Sequence, residues 1–129
     1  MIRILIADDF EAWRAKARYL LRVKPEWQIV GEAVDGLETI RKTIEIRPDV
    51  VLLDISMPGV SGLEACEKIL QSLPEIVVIF LSQNTDKEVA NAALVTGAKG
   101  YVLKVNASRE LIPAISRALL GRLSGPELR

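Results

Sequence analysis

The sequence predicts an α/β domain, a doubly wound parallel sheet with helices on both faces. Two observations carry that expectation. Five short apolar runs, Ile2–Ala7, Gln28–Ala33, Val50–Leu53, Ile76–Leu81 and Gly100–Leu103, are separated by longer segments in which apolar residues recur at helical spacing. The runs are rich in Ile, Val and Leu with little alternation, the pattern of parallel strands buried on both faces. A β-α alternation repeated five times calls for a layered fold rather than a bundle or a sandwich. The 129 residues fit one domain, and half of them are hydrophobic, enough to build a core without disulfides.

The elements follow in order. After the first run, Phe10, Trp13, Ala17 and Leu20 give a helical stripe. The second helix opens at Asp35 with Glu38 three residues on, a capping-box spacing, and continues through Leu37, Ile40 and Ile44. Pro48 precedes the third strand. Ser61 with Glu64 opens the third helix, whose apolar side is Leu63, Cys66, Ile69 and Leu70, and Pro74 precedes the fourth strand. Thr85 with Glu88 repeats the capping spacing at the fourth helix, and Gly97 follows it as a stop signal. The fifth helix carries Leu111, Ile112, Ile115, Ala118 and Leu119. Pro113 interrupts it. With Ser108 as cap, Pro113 removes a backbone hydrogen bond, so a local distortion or a later start is expected. Gly121 reads as the stop, which puts the domain at residues 1–121. Residues 122–129 then form a tail or the beginning of a linker to an output domain outside this chain.

Composition excludes several classes. Lys plus Arg equals Asp plus Glu at 17 each, so the basic excess of a nucleic-acid binder is missing. With no histidine, imidazole chemistry is absent from this chain. One cysteine, Cys66, allows neither an internal disulfide nor a cysteine zinc site, and its place on an apolar helix face marks it as a core filler. The apolar start Met1–Ala7 is too short to span a membrane and ends at Asp8-Asp9. A soluble, cytoplasmic protein with no membrane partner is expected.

In open α/β sheets ligands bind at the carboxyl ends of the strands. The first run exits into Asp8-Asp9, the third into Asp54, the fourth into Ser82 and the fifth into Lys104. Only the second exits into apolar residues, Ala33-Val34. Three carboxylates brought together repel by roughly 4 kcal/mol per pair at about 4 Å and an effective dielectric near 20. A proton or a cation must therefore accompany them. Hard oxygen ligands suit Mg²⁺. An acidic, metal-binding pocket with a lysine and a hydroxyl is suited to a phosphoryl group, with a carboxylate as nucleophile. Asp54, the singleton before Ile55-Ser56-Met57-Pro58-Gly59, is favoured as that nucleophile over the adjacent pair, although chemistry alone leaves the choice open.

The chain resembles the receiver domain of two-component response regulators over nearly its whole length. The resemblance lies in Asp8-Asp9, the run Leu52–Gly59, Ser82, and Gly100-Tyr101-Val102-Leu103-Lys104. Met57–Ala65 and Gly97–Lys104 are most similar to the LuxR/NarL-type subfamily. The resemblance implies a flavodoxin-like sheet of order 2-1-3-4-5 with five helices. It implies Asp54 as phosphoacceptor from a sensor histidine kinase. It implies Mg²⁺ (or Mn²⁺) held by Asp9, Asp54 and the Ser56 backbone carbonyl, with Asp8 acting mainly through water. Lys104 would contact the phosphoryl oxygens, and Ser82 and Tyr101 would act as the switch, moving the surface of the fourth helix, fifth strand and fifth helix. A homodimer on phosphorylation, and no nucleic-acid contact by this domain itself, complete the expectation. The output would be transcription regulation through a separate DNA-binding domain. Val105 departs from the family, where proline commonly follows the lysine, and Ser82 replaces the commoner threonine. Ser56 and Asn84 stand where the family tunes phosphoryl lifetime.

Each residue alone has a plainer reading. Asp8 or Asp9 can cap the first helix, Asp54 can be a turn residue, and Lys104 a solvated surface lysine. Ser82 can be a cap residue, Tyr101 a packing aromatic, and Trp13 and Trp27 packing residues. These readings fail only jointly, since they do not explain why the polar groups gather at one end of one sheet. A flavin binder would need a loop rich in Ser, Thr or Gly after the first strand, where Asp8-Asp9-Phe10-Glu11 stands instead. A haloacid-dehalogenase-type phosphatase would need an acid at Ser56. A degenerate receiver used only for docking would lack the full polar set.

Overall fold

The structure is a computed structural model and describes residues 1–124. The elements are β1 (Ile2–Ala7), α1 (Glu11–Leu21), β2 (Trp27–Ala33), α2 (Gly36–Ile46), β3 (Val50–Leu53), α3 (Gly62–Ser72), β4 (Val77–Ser82), α4 (Lys87–Val95), β5 (Gly100–Leu103) and α5 (Ala107–Ser124). A 3₁₀ turn, Lys104–Asn106, leads from β5 into α5. All strands are parallel in the order β2-β1-β3-β4-β5, the expected flavodoxin-like topology.

The apolar runs form strands because their side chains feed two cores at once. In β3 and β4 every residue is buried. Successive side chains point to opposite faces. Leu5, Val51, Leu53, Val78 and Phe80 meet Ala65, Cys66 and Ile69 of α3 and Ala93 of α4 on one face. Ile4, Ile6, Val50, Leu52, Ile79 and Leu81 meet Ala17 and Leu21 of α1 and Leu111 and Ile115 of α5 on the other.

Several helix details differ from expectation. Phe10 is not part of the α1 stripe: it is the N-cap residue and 60% exposed, while Leu21 takes the buried place. On α2, Leu37 and Ile44 face solvent, and the buried side is Gly36, Thr39 and Thr43 with Ile40 packed beside the core. The reason is close approach: α2 runs against α3 and its preceding loop, and a Cβ on Gly36 would collide with the Val60 carbonyl oxygen. Small residues win there over large apolar ones.

The caps at Asp35 and Ser61 form, each accepting a hydrogen bond from the backbone N–H of the glutamate three residues on. Glu38 accepts from the Val34 N–H rather than from its own cap residue. At α4 the cap is Asp86, not Thr85. Asn84 Oδ1 accepts from the Asp86 N–H, keeping Asp86 extended, and the Asp86 carboxylate accepts from the Glu88 N–H. The fifth helix begins at Ala107, ahead of Ser108, and runs through Pro113 without interruption. Pro113 is exposed, so water can satisfy the carbonyl it leaves free. Gly121 does not stop the helix, which continues to Ser124. The expected tail beyond Ser124 lies outside the described residues.

Candidate functional site

Parallel register brings the strand exits to one edge. Ala7 pairs with Leu53, Leu53 with Phe80, and Ser82 with Leu103. The ladder extends one residue further, since the Asp8 N–H donates to Ala33 and the Asp54 N–H donates to Ala7. Asp8 and Asp54 therefore leave the sheet side by side. One oxygen from each of Asp8, Asp9 and Asp54 lies within 4.8 Å of the others. Asp8 and Asp54 are buried and Asp9 is exposed, so the acidic group opens to solvent on one side. An oxygen-only donor set with a wet side fits a small divalent cation that keeps part of its hydration shell.

Lys104 reaches the same place from the end of β5. Its ammonium lies 2.7 Å from Asp8 Oδ2 and 3.7 Å from Asp54 Oδ2, and its side chain is 3% exposed. The plain reading of Lys104 as a solvated surface residue is thus excluded. The 3₁₀ turn at Lys104–Asn106, where Val105 replaces the family's proline, leaves Val105 exposed and turns Lys104 inward.

Asp54 holds its proton more tightly than an ordinary carboxyl, with a pKa pushed up to about 6. Burial is the main cause. Lys104 opposes it, Asp8 adds to it, the backbone N–H of Ser56 opposes it by a hydrogen bond, and Asp9 adds to it. Ser56 itself is exposed.

Ser82 is buried, and its hydroxyl accepts a hydrogen bond from the Asn84 N–H. Asn84 in turn accepts, through its carbonyl oxygen, a 2.7 Å hydrogen bond from the Tyr101 hydroxyl. Two hydrogen bonds thus join Ser82 at the site to the half-buried ring on β5. Neither Asp8 nor Asp9 caps α1, because Phe10 is the cap residue and has no side-chain bond. Asp8 Oδ1 does accept from the Phe10 N–H and so fixes the turn.

Asp8, Asp9, Asp54 and Lys104 therefore meet at this edge, and Ser82 stands at the neighbouring strand end, with Tyr101 joined to it through Asn84. Three contributors were not legible as such. Arg14 donates to the Asp8 carbonyl and pairs with Glu32, bracing the acidic loop from α1. Gly62 lets the start of α3 lie directly on the Asp54 backbone, where any Cβ would strike the Asp54 carbonyl oxygen. Trp13 places its ring 4.8 Å from the Lys104 ammonium. The capping spacing of Ser61 hinted at Gly62, and nothing in the spacing hinted at the other two.

A family model for the response regulator receiver domain matches residues 4–116. The chain belongs to that family. This receiver is 36% identical over 121 residues to the transcriptional regulatory protein LiaR of Bacillus subtilis (strain 168), covering 94% of this chain and 57% of that protein. It is 39% identical to the oxygen regulatory protein NreC of Staphylococcus epidermidis, covering 93% of this chain and 56% of that one. The receiver spans about half the length of these relatives. Among solved structures, a LuxR-family two-component response regulator from Aurantimonas sp. SI85-9A1 superposes with a TM-score of 0.88 at 34% identity, covering 93% and 86% of the two chains. The isolated receiver domain of RcsB from Salmonella enterica serovar Typhimurium, determined in the presence of the phosphomimetic BeF₃⁻, gives 0.86 at 27% identity, covering 93% and 89%. The receiver is of the LuxR/NarL type. Among its described residues no helix is long and apolar enough to cross a membrane.

Proposed function

We propose that this receiver is a phosphorylation switch whose acceptor is Asp54. One observation carries the reading: a buried carboxylate at the end of β3, crowded by two further acids and faced by a buried ammonium. Such a site favours an incoming group that brings charge and a cation together.

An Asp54 oxygen attacks the phosphorus of a phosphohistidine on a partner sensor kinase. The P–O bond forms as the P–N bond breaks, and the departing imidazole keeps the electron pair and takes a proton from water. Attack requires the ionised carboxylate. Lys104 turns from Asp8 toward the phosphoryl oxygens and neutralises them. Asp9, Asp54 and the Ser56 carbonyl would hold Mg²⁺, or Mn²⁺, with Asp8 acting mainly through water. The cation, when bound, screens the phosphoryl charge from the carboxylates. Reversal is hydrolysis: water attacks phosphorus, the bond to Asp54 breaks, and inorganic phosphate leaves. The protein promotes both steps on itself and turns over no external product.

A phosphoryl group adds close to two negative charges and new acceptors. The Ser82 hydroxyl leaves the Asn84 N–H to donate to it, which frees Asn84 and then Tyr101. The surface of α4, β5 and α5 changes, and a homodimer forms through a helical face. This domain touches no nucleic acid. The receiver unit includes α5 through Ser124, past the boundary expected at Gly121. Transcription control through a separate domain is the output this reading favours, since one relative is a transcriptional regulatory protein.

Incubation with acetyl phosphate and Mg²⁺ tests the reading. The expected result is an acid-labile phosphoryl adduct by mass spectrometry, lost with chelator and in Asp54→Asn. No adduct on the native chain sinks it. Gel filtration with beryllofluoride tests the dimer, and an unchanged elution volume at high concentration would count against it.

A further inference from the structure

The Lys104 side chain is 3% exposed, and two carboxylates face its ammonium. Asp8 lies at 2.7 Å and Asp54 at 3.7 Å. The ring of Trp13 also lies against it, 4.8 Å from the ammonium to the ring centroid. An ammonium is strongly hydrated, and indole is the best of the side-chain faces for replacing that water. A cavity of about 270 Å³ opens beside this pair, lined by Trp13, Ser82, Leu103 and Lys104 among others. A lysine stem has four rotatable bonds, so without a wall the ammonium can swing into that space and on to solvent.

We propose that Trp13 is a positioning residue for phosphotransfer: its ring confines the Lys104 ammonium between Asp8 and Asp54. The proposal rests on the phosphoacceptor reading given above. Its physical content is directional. The ammonium must give up Asp8 and meet the phosphoryl oxygens on Asp54, a short movement. The ring face permits this sliding, because cation–ring attraction is broad, and it blocks the longer excursion into the cavity. Trp13 was expected only to pack, and it does pack against the α1–α5 side of the sheet. The charge on its ring face is the additional role.

Volume and ring electrostatics are separable by substitution. Trp13→Leu keeps an apolar wall without a ring, whereas Trp13→Phe keeps a weaker ring. The expected rate of phosphorylation by acetyl phosphate falls about tenfold in Trp13→Leu and only about threefold in Trp13→Phe, in the range a desolvated cation–ring contact commands. Mg²⁺ binding, measured by calorimetry, is not weakened in either variant, because a released ammonium stops competing at Asp8. General damage to the site would weaken both.

A second readout uses the native fold. Trp13 and Trp27 are the two tryptophans of the chain, so Trp27→Phe leaves Trp13 as sole indole emitter. Its emission is expected to shift on adding Mg²⁺ with beryllofluoride, and to lose that response in Lys104→Met. A Trp13→Leu protein phosphorylated at the native rate overturns the inference, as does an emission blind to both changes. If the native chain itself forms no acyl phosphate, the phosphoacceptor reading fails as well.

Discussion

Asp54 carries a charge that the folded protein accommodates poorly without a cation. Its pKa rises from 3.8 to about 6 on folding, so between these values the native state binds more protons than the unfolded chain. The sign follows. Stability from this group is fully present below about pH 3.8, falls as pH rises toward 6, and is gone above that. At neutral pH the ionised carboxylate lowers the stability of the metal-free protein. Asp54→Asn keeps the shape and removes the charge. It is expected to melt higher than the native chain near pH 7 without metal, and to show little difference near pH 4. Mg²⁺ should narrow the gap by stabilising the native chain more than the variant. Thermal melts at the two pH values, with and without Mg²⁺, check this. A metal-free variant melting below the native chain near neutrality contradicts it.

At the scale of elements, the seam between α2, α3 and β3 sets the geometry of the site. Gly62 has no room for a side chain over the Asp54 carbonyl. Gly62→Ala should destabilise by about 3 kcal/mol, as overpacking against backbone does. It should also weaken Mg²⁺ binding by tilting the end of β3, and denaturant unfolding and calorimetry read the two effects separately. Thr43, on the same seam, is fully buried, and its hydroxyl has no hydrogen-bond partner among the described residues. Thr43→Val removes the unpaired hydroxyl at nearly constant shape and should stabilise by about 1 kcal/mol. This seam is also where the sequence was least legible. The strands were readable because a strand buried on both faces must be a nearly continuous apolar run, as β3 is throughout and β4 is up to Ser82. The polar exits were readable because a sheet edge collects them. The buried side of α2 was not, because Gly36, Thr39 and Thr43 are chosen for small size, and hydropathy points to Leu37 and Ile44 instead. Thr85 looked like the α4 cap because spacing ignores Asn84, whose side chain moves the start to Asp86. Trp13 escaped because its contact with Lys104 joins α1 to the far end of β5, a pairing that no local period records.

Across the whole molecule, a charge placed at one edge of the sheet must be felt on a distant surface. The route available is Ser82 to Asn84 to Tyr101, two hydrogen bonds that also hold the loop leading into α4. That helix is held loosely, burying only Ala93. Elements with few buried contacts open at low free energy, so they respond to small biases. A phosphoryl group that draws the Ser82 hydroxyl away from Asn84 removes the first link and re-sets the start of α4. Hydrogen exchange is expected to show α4 as the least protected helix in the resting state. Its first turn and the Tyr101 strand should change protection on adding Mg²⁺ and beryllofluoride, while the α1 side of the sheet changes little beyond the site. Ser82→Ala should still bind the mimic, since Asp54, Asp9 and Lys104 are intact, but should lose the change at α4 and Tyr101. Equal exchange at α4 with and without the mimic in the native chain would break the proposed route. A full response in Ser82→Ala would show that the signal leaves the site by another path.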